Sequence, residues 1–129
     1  MKFDLIDNVT ARDADTLTAI KNVSAAEEYL GDHFPGFPIL PGVMMLETLV
    51  QAGRHFASGA DDPPPRPLVI AEVRNVRYGG MVRPGQTLAV EVTLRKRDGH
   101  AYDFQGVGKV DGQVAVQGRF RLAPIAIDA

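Results

Sequence analysis

Residues 33–47 read His-Phe-Pro-Gly-Phe-Pro-Ile-Leu-Pro-Gly-Val-Met-Met-Leu-Glu, and an apolar run that begins inside this stretch covers residues 43–57. Pro35, Pro38 and Pro41 follow one another at intervals of three. Each proline fixes φ at about −65° and removes a backbone donor, so we expect an extended, stiff loop. The run that follows is apolar almost all round, which predicts a long helix buried on every side.

The predicted helix carries two polar side chains on one face. Glu47 and Gln51 lie one helical turn apart, and burying a carboxyl group and an amide is costly unless they have partners or a task. The stiff loop holds His33 at a defined distance from the helix start at Gly42. We therefore expect an imidazole, free helix N-terminal N–H groups and a carboxyl group around one cavity. Such groups can remove a proton next to a carbonyl and hold the resulting enolate with backbone amides.

Each of these residues also has a simpler structural explanation. A lone histidine in a loop is more often structural than catalytic, and a lone helical glutamate usually lies on the surface. Gln51 could be a buried amide satisfied by a backbone carbonyl, and Gly42 an ordinary turn glycine. The joint pattern favours the functional interpretation. His55 and His100 lack its spacing and are predicted to lie on the surface.

The rest of the chain reads as strands and turns. Six segments have the alternation or the β-branched content of strands: residues 3–9, 16–23, 67–76, 86–97, 101–110 and 113–122. Residues 25–30 could form one helical turn, and the long helix is expected to end near Ser58-Gly59. Asp98-Gly99 and Asp111-Gly112 are hairpin signals. One apolar helix with antiparallel strands predicts an α+β fold in which the sheet wraps around the helix.

Composition limits the possible classes of protein. A chain of 129 residues predicts a single domain, residues 1–129, large enough to bury a core. The absence of cysteine excludes disulfides, thiolate catalysis and cysteine-ligated metals. A formal net charge of −2 argues against nucleic-acid binding. The apolar run of residues 39–50 is too short for a membrane span and contains Glu47. Asp4 and Asp7 interrupt any signal segment, so we expect a cytoplasmic protein.

The segment from His33 to Glu47, followed by Gln51, resembles the signature of the FabZ-type 3-hydroxyacyl-[acyl-carrier-protein] dehydratases of the FabA/FabZ-like family. The spacing of fourteen between the histidine and the glutamate matches that family. The resemblance continues in four further segments: Lys21-Asn22-Val23-Ser24, Val82-Arg83-Pro84-Gly85, Gly106-Val107 and Val110-Asp111-Gly112. It implies the hot-dog fold and a hydro-lyase of fatty-acid or related lipid biosynthesis.

The resemblance also implies roles for individual residues. His33 corresponds to the base that removes the α proton of a 3-hydroxyacyl thioester, and Glu47 to the acid that protonates the departing 3-hydroxyl. The Gly42 N–H would bind the thioester oxygen, and Gln51 would orient Glu47. The implied oxyanion and substrate-binding residues are Gly42, Gln51, Val43 and Phe37.

The expected partners follow from the same resemblance. They are an acyl carrier protein that bears a phosphopantetheine thioester and a second copy of the chain, with a trimer of dimers left open. The loop of His33 cannot easily reach back over its own helix, whereas a two-fold axis brings the partner's Glu47 close. We expect no cofactor and no metal.

The chain departs from the family in two places. It begins at about the family's second segment, so we expect a site without the leading helix that borders the substrate entrance. Residues 78–82 lack a Lys-Arg pair that could dock an acidic carrier. Six basic residues could replace that pair, or could belong to an ordinary solvated sheet edge: Arg74, Arg77, Arg83, Arg95, Lys96 and Arg97.

Two other functions remain open on the sequence. A hot-dog acyl thioesterase would use Glu47 to activate water, although such enzymes generally lack the proline loop. The second possibility is a non-catalytic subunit that binds acyl chains or their carrier. The intact His33 and Glu47 argue against this function. Related isomerases usually carry Asp at the Glu47 position, which disfavours isomerase activity.

Overall fold

The computed structural model describes residues 5–23 and 42–125. Within these ranges one helix packs against a six-stranded antiparallel sheet, which confirms the predicted α+β arrangement. The helix, α1, is Gly42–Ser58, and the strands are β1 Asn8–Arg12, β2 Thr16–Asn22, β3 Leu68–Tyr78, β4 Thr87–Asp98, β5 Ala101–Val110 and β6 Gln113–Pro124. Their order in the sheet is β1-β2-β4-β5-β6-β3. The proline loop and the predicted turn at residues 25–30 lie outside the described residues.

The core lies between α1 and the inner face of the sheet. Alternate side chains of the central strands point inward and are buried, as a period of two requires. Phe104 of β5 stands at the centre, with its ring centroid 5.4 Å from that of Phe120 and 5.7 Å from that of Phe56 on α1. Leu49 of α1 packs where Gly106 leaves space on β5. This packing fixes one face of α1 against the sheet.

Tight turns join the last three strands, as the sequence predicts. Asp111 and Gly112 have φ of 51° and 81°, and positive φ at both central residues defines the type I′ hairpin. In the preceding hairpin Gly99 has φ of 62°. Asp98 still belongs to β4 there, so the two-residue loop is Gly99-His100, one residue later than the predicted turn.

The first predicted strand, residues 3–9, is wrong in its position. β1 begins at Asn8 and is exposed along its whole length. Leu5 and Ile6 precede it and are buried, and the Leu5 N–H donates to the Gln51 side chain of α1. The apolar side chains of Leu5 and Ile6 therefore belong to the core, while the edge strand β1 that follows is exposed to solvent.

The prediction that the helix is buried on every side is also wrong. The bounds of α1 agree with the predicted start at Gly42 and end near Ser58, but the sheet covers only one face. Val43 is 68% exposed on the other face, because the sheet of one chain cannot surround a helix. No helix in the described residues is both long and apolar enough to cross a membrane.

Candidate active site

An open groove of about 1230 Å³ runs along the face of α1 that the sheet does not cover. Side chains of α1 form one wall, and the segment from Pro64 to Val69, which leads into β3, forms the other. The residues of α1 in the groove are Val43, Met44, Glu47, Gln51, Arg54, His55 and Ser58. The groove therefore contains three of the residues that the sequence singles out, namely Val43, Glu47 and Gln51.

Glu47 is held in this groove by two side chains of its own helix. Its Oε1 accepts a hydrogen bond of 3.0 Å from Arg54 Nη1 and a longer one of 3.5 Å from Gln51 Nε2. The Glu47 side chain is 34% exposed, so the carboxyl group is accessible from the groove as well as anchored. A charge-assisted contact of this kind fixes the direction of a carboxylate.

Gln51 connects Glu47 to the N-terminal segment. Its Oε1 accepts a hydrogen bond of 2.8 Å from the Leu5 N–H, while its Nε2 faces Glu47. The predicted contact between Gln51 and Glu47 is therefore present. The alternative was an amide satisfied by a backbone carbonyl, whereas the backbone group that contacts Gln51 is the Leu5 N–H.

Arg54 is the residue of this site that the sequence reasoning missed. It reaches Glu47 with Nη1, and its Nε donates a hydrogen bond of 3.0 Å to the Leu68 carbonyl at the start of β3. The sequence contains a signal for Arg54. Residues 51 and 54 follow residue 47 by four and seven positions, so all three lie on one face of the helix. Reading the run as apolar all round hid this polar stripe.

The helix start at Gly42 lies one residue from the groove. A Cβ at Gly42 would come within 3.1 Å of the Tyr78 ring, so the ring lies against the first turn and the position favours glycine. The first turn contains no acidic side chain, and its N–H groups lack intrahelical partners. Such a terminus attracts negative charge.

His33 and Phe37 lie outside the described residues, so the groove is seen without the predicted base. In the described part of the chain no group of three or more His, Cys, Asp or Glu side chains could hold a metal ion. The described part of the chain therefore provides a helix start, an anchored carboxyl group and a groove beside them.

Comparison with known proteins identifies the family of the chain. Residues 1–119 match the model of the FabA-like domain. The chain belongs to the FabA-like family. The 3-hydroxyacyl-[acyl-carrier-protein] dehydratase FabZ of Lactococcus lactis subsp. cremoris is 34% identical over 121 residues, which cover 94% of this chain and 84% of the relative. The FabZ protein of Magnetococcus marinus is 36% identical over 118 residues, covering 89% and 77%. The resemblance drawn from the sequence is thus confirmed.

Solved structures extend the comparison to the fold. The dehydratase heterocomplex ApeI:P from Xenorhabdus doucetiae matches with a TM-score of 0.73 and 21% identity, covering 95% of this chain and 84% of that one. A mutant thioesterase from Pseudomonas aeruginosa matches with a TM-score of 0.69 and 16% identity, covering 91% and 81%. At these identities the likeness shows the fold alone, and the predicted hot-dog fold is confirmed.

The six basic residues proposed to replace the missing Lys-Arg pair of the FabA-like family differ in their surroundings. Arg97 donates to the carbonyls of Asp61, Asp62 and Gly99 and lies over the Tyr102 ring. It therefore ties the loop before β3 to the sheet and is unsuited to docking. Arg74 and Lys96 form ion pairs with Glu72 and Asp98. Arg77, Arg83 and Arg95 are exposed.

The two histidines predicted on the surface have different environments. His55 is exposed, as expected. His100 is half-buried, with 30% of its side chain accessible and its Nε2 at 4.0 Å from Asp62. Its Nδ1 is buried and has no hydrogen-bond partner in the described part of the chain. The surface prediction for His100 is therefore wrong, because the short hairpin turns this side chain toward the loop at Asp62.

Proposed function

We propose that this protein is a hydro-lyase that dehydrates (3R)-hydroxyacyl-[acyl-carrier-protein] thioesters to trans-2-enoyl thioesters in fatty-acid or related lipid biosynthesis. One observation carries the proposal. An anchored, accessible carboxyl group at Glu47 lies in a groove on the same helix as the N-terminal N–H groups at Gly42. Glu47 follows Gly42 by five positions, which is about 7.5 Å along the axis. The relatives named as FabZ dehydratases support the same activity.

The reaction needs three groups in sequence. The thioester oxygen accepts from the N–H at the start of α1, which stabilises the enolate that forms. His33 removes the α proton, a role that rests on the sequence pattern. Glu47 delivers a proton to the 3-hydroxyl, so that the C3–O bond breaks and water leaves. The new double bond takes the electron pair left on C2.

The uncovered surfaces favour a homodimer. Every residue of β3 except Leu68 and Val76 is exposed, although Val69, Ile70 and Val73 are apolar. In the described structure β3 pairs with β6 alone, and an open, apolar edge strand invites pairing with another strand. Joining β3 to β3 of a second copy would satisfy that edge and cover the groove beside it. The partner's loop could then bring His33 to Glu47.

The proposed carrier of the substrate is an acyl carrier protein, and both the relatives and the exposed arginines support it. The relatives' names specify acyl carrier protein as the carrier of their substrate. Arg77, Arg83 and Arg95 are candidates for contact with an acidic carrier because they are exposed. The single domain, the cytoplasmic location and any assembly beyond a dimer stay predictions from the sequence.

A thioesterase is the second candidate, because a thioesterase shares the fold and a carboxylate in a groove can activate water. Incubation with crotonyl and 3-hydroxybutyryl pantetheine thioesters separates the two. A dehydratase interconverts the two compounds, which is followed by the absorbance of the conjugated thioester. Release of free thiol without interconversion would contradict the proposal, and neither reaction would indicate a binding subunit. Glu47→Gln serves as the inactive control.

A further inference from the structure

The wall of the groove that α1 forms changes chemical character along its length. Near the helix start this wall is apolar, with Val43 and Met44. Toward the helix end it is polar, with Arg54, His55 and Ser58, while the opposite wall, residues 64–69, includes three prolines. A groove that binds a long alkyl chain needs an apolar lining between the carboxyl group and the helix end. Transfer of apolar carbons out of water is favourable only when they enter apolar surroundings.

Arg54 crosses the groove at the point where this change occurs. Its Nη1 donates to Glu47 on the helix wall and its Nε to the Leu68 carbonyl on the opposite wall, both at 3.0 Å. The side chain is still 37% exposed, so the guanidinium faces whatever lies in the groove. Covering an ion pair with methylene groups removes its water without supplying new hydrogen bonds, which is unfavourable.

The direction of a bound acyl group follows from the proposed function, on which this inference rests. If the N–H at Gly42 holds the thioester oxygen and Glu47 faces the 3-hydroxyl, the acyl group runs from the helix start toward its end. The carbons beyond C3 then point at Arg54. An extended alkyl chain must pass the guanidinium or displace it from both of its acceptors.

We propose that Arg54 is a specificity-determining residue that limits the length of the acyl chain. The site takes short 3-hydroxyacyl thioesters and discriminates against long unbranched ones. The Arg54 guanidinium, which spans the groove from Glu47 on α1 to the Leu68 carbonyl on β3, sets this limit in place of an apolar end wall. Replacing the guanidinium with an uncharged side chain of similar length therefore opens the groove to longer chains.

The test compares kcat/KM for 3-hydroxybutyryl and 3-hydroxydecanoyl pantetheine thioesters in four proteins. These are the wild type, Arg54→Met, Arg54→Lys and Arg66→Met. Arg66 also lines the groove, is exposed, and loses the same charge when it is replaced by methionine. Circular dichroism and thermal melts establish that each variant is folded.

We expect the wild type to prefer the butyryl substrate by at least about tenfold, the scale on which pockets discriminate apolar groups. Arg54→Met should reduce this preference about tenfold, mainly through a lower KM for the decanoyl substrate. Arg54→Lys and Arg66→Met should keep the wild-type preference. Equal efficiency of the wild type on both substrates, or an equal loss on both in Arg54→Met, would overturn the proposal.

Failure of the proposed function would look different, since neither 3-hydroxyacyl thioester would then be dehydrated. In that case, titration calorimetry measures the affinity for saturated butyryl and decanoyl pantetheine thioesters. The comparison still tests whether the groove limits the length of the acyl chain. Tighter binding of the butyryl compound supports it. Equal or tighter binding of the decanoyl compound contradicts it.

Discussion

The two faces of α1 are built from different kinds of interaction. On the sheet side, Leu49 is fully buried and Phe56 nearly so, and both are held by close packing with the strands. On the groove side, Glu47, Gln51 and Arg54 are partly exposed and are held by hydrogen bonds to one another and to neighbouring backbone. One helix therefore carries a face on which stability depends and a face that is available for chemistry.

This difference predicts that mutations on the two faces have separable effects. Buried apolar side chains contribute through the area that they remove from water and through dispersion contacts. Partly exposed ion pairs contribute little to stability. Substitutions of the polar groove residues should lower activity and leave folding intact. Substitutions on the sheet face should lower the free energy of unfolding and leave the chemical groups of the groove in place.

The largest expected effect is on the groove face. Glu47→Gln keeps the shape of the side chain and removes its proton donor, so kcat for dehydration should fall about 10²–10⁴-fold, the usual range for a general acid. The melting temperature should change little, because the carboxyl group is 34% exposed. Glu91→Gln, at an exposed position on β4, is the matched control and should keep full activity. Substantial activity in Glu47→Gln would reject the assigned role.

The next effect is on the sheet face. Leu49→Ala removes a fully buried side chain that packs against Gly106 in the core, and should lower the free energy of unfolding by about 2–5 kcal/mol. Urea denaturation measures this loss. Val9→Ala on the exposed strand β1, where the side chain is 38% accessible, should change stability by less than about 0.5 kcal/mol. Similar losses in the two variants would remove the distinction drawn here.

The smallest effect concerns a polar atom inside the core. The Tyr102 hydroxyl is buried and has no hydrogen-bond partner in the described ranges, so Tyr102→Phe should be neutral or stabilising within about 1 kcal/mol. Burial also raises the pKa of Tyr102 above the ordinary value of a tyrosine. The folded protein then retains this proton more tightly than the unfolded chain does, so its stability falls as the pH rises above about 10.

Tyr102→Phe should therefore lose part of this alkaline destabilisation, measured as the free energy of unfolding at a series of pH values. Tyr78→Phe, at an exposed position, is measured beside it as the control for removing a tyrosine hydroxyl. An unchanged alkaline limb in Tyr102→Phe would show that the buried hydroxyl does not cause it.

The regular elements could be predicted because their patterns are local. Alternation located β4, β5 and β6, and the apolar run located α1 with its start at Gly42. The position of β1 could not be read in this way, because Leu5 and Ile6 are apolar for a tertiary reason, their burial in the core. Exposure of one face of α1 was missed for a similar reason, since apolar Val43 and Met44 line the groove rather than the core.

The candidate site was predicted in part. Glu47 and Gln51 stand out as polar residues in an apolar run, and the structure brings them together. Arg54 could be found only by reading the run as a two-sided helix. Its contact with the Leu68 carbonyl depends on how the chain returns to the sheet, which no local pattern specifies.

Mixing two inactive variants tests most directly whether the groove side of α1 forms one half of an active site that two chains share. His33→Ala and Glu47→Gln chains are dissociated together, reassembled and assayed with the crotonyl thioester. Random pairing makes half of the dimers mixed, and each mixed dimer has one intact site, so about a quarter of the wild-type activity should return. Continued inactivity, with subunit exchange demonstrated by differently tagged chains, would contradict a site built from two copies.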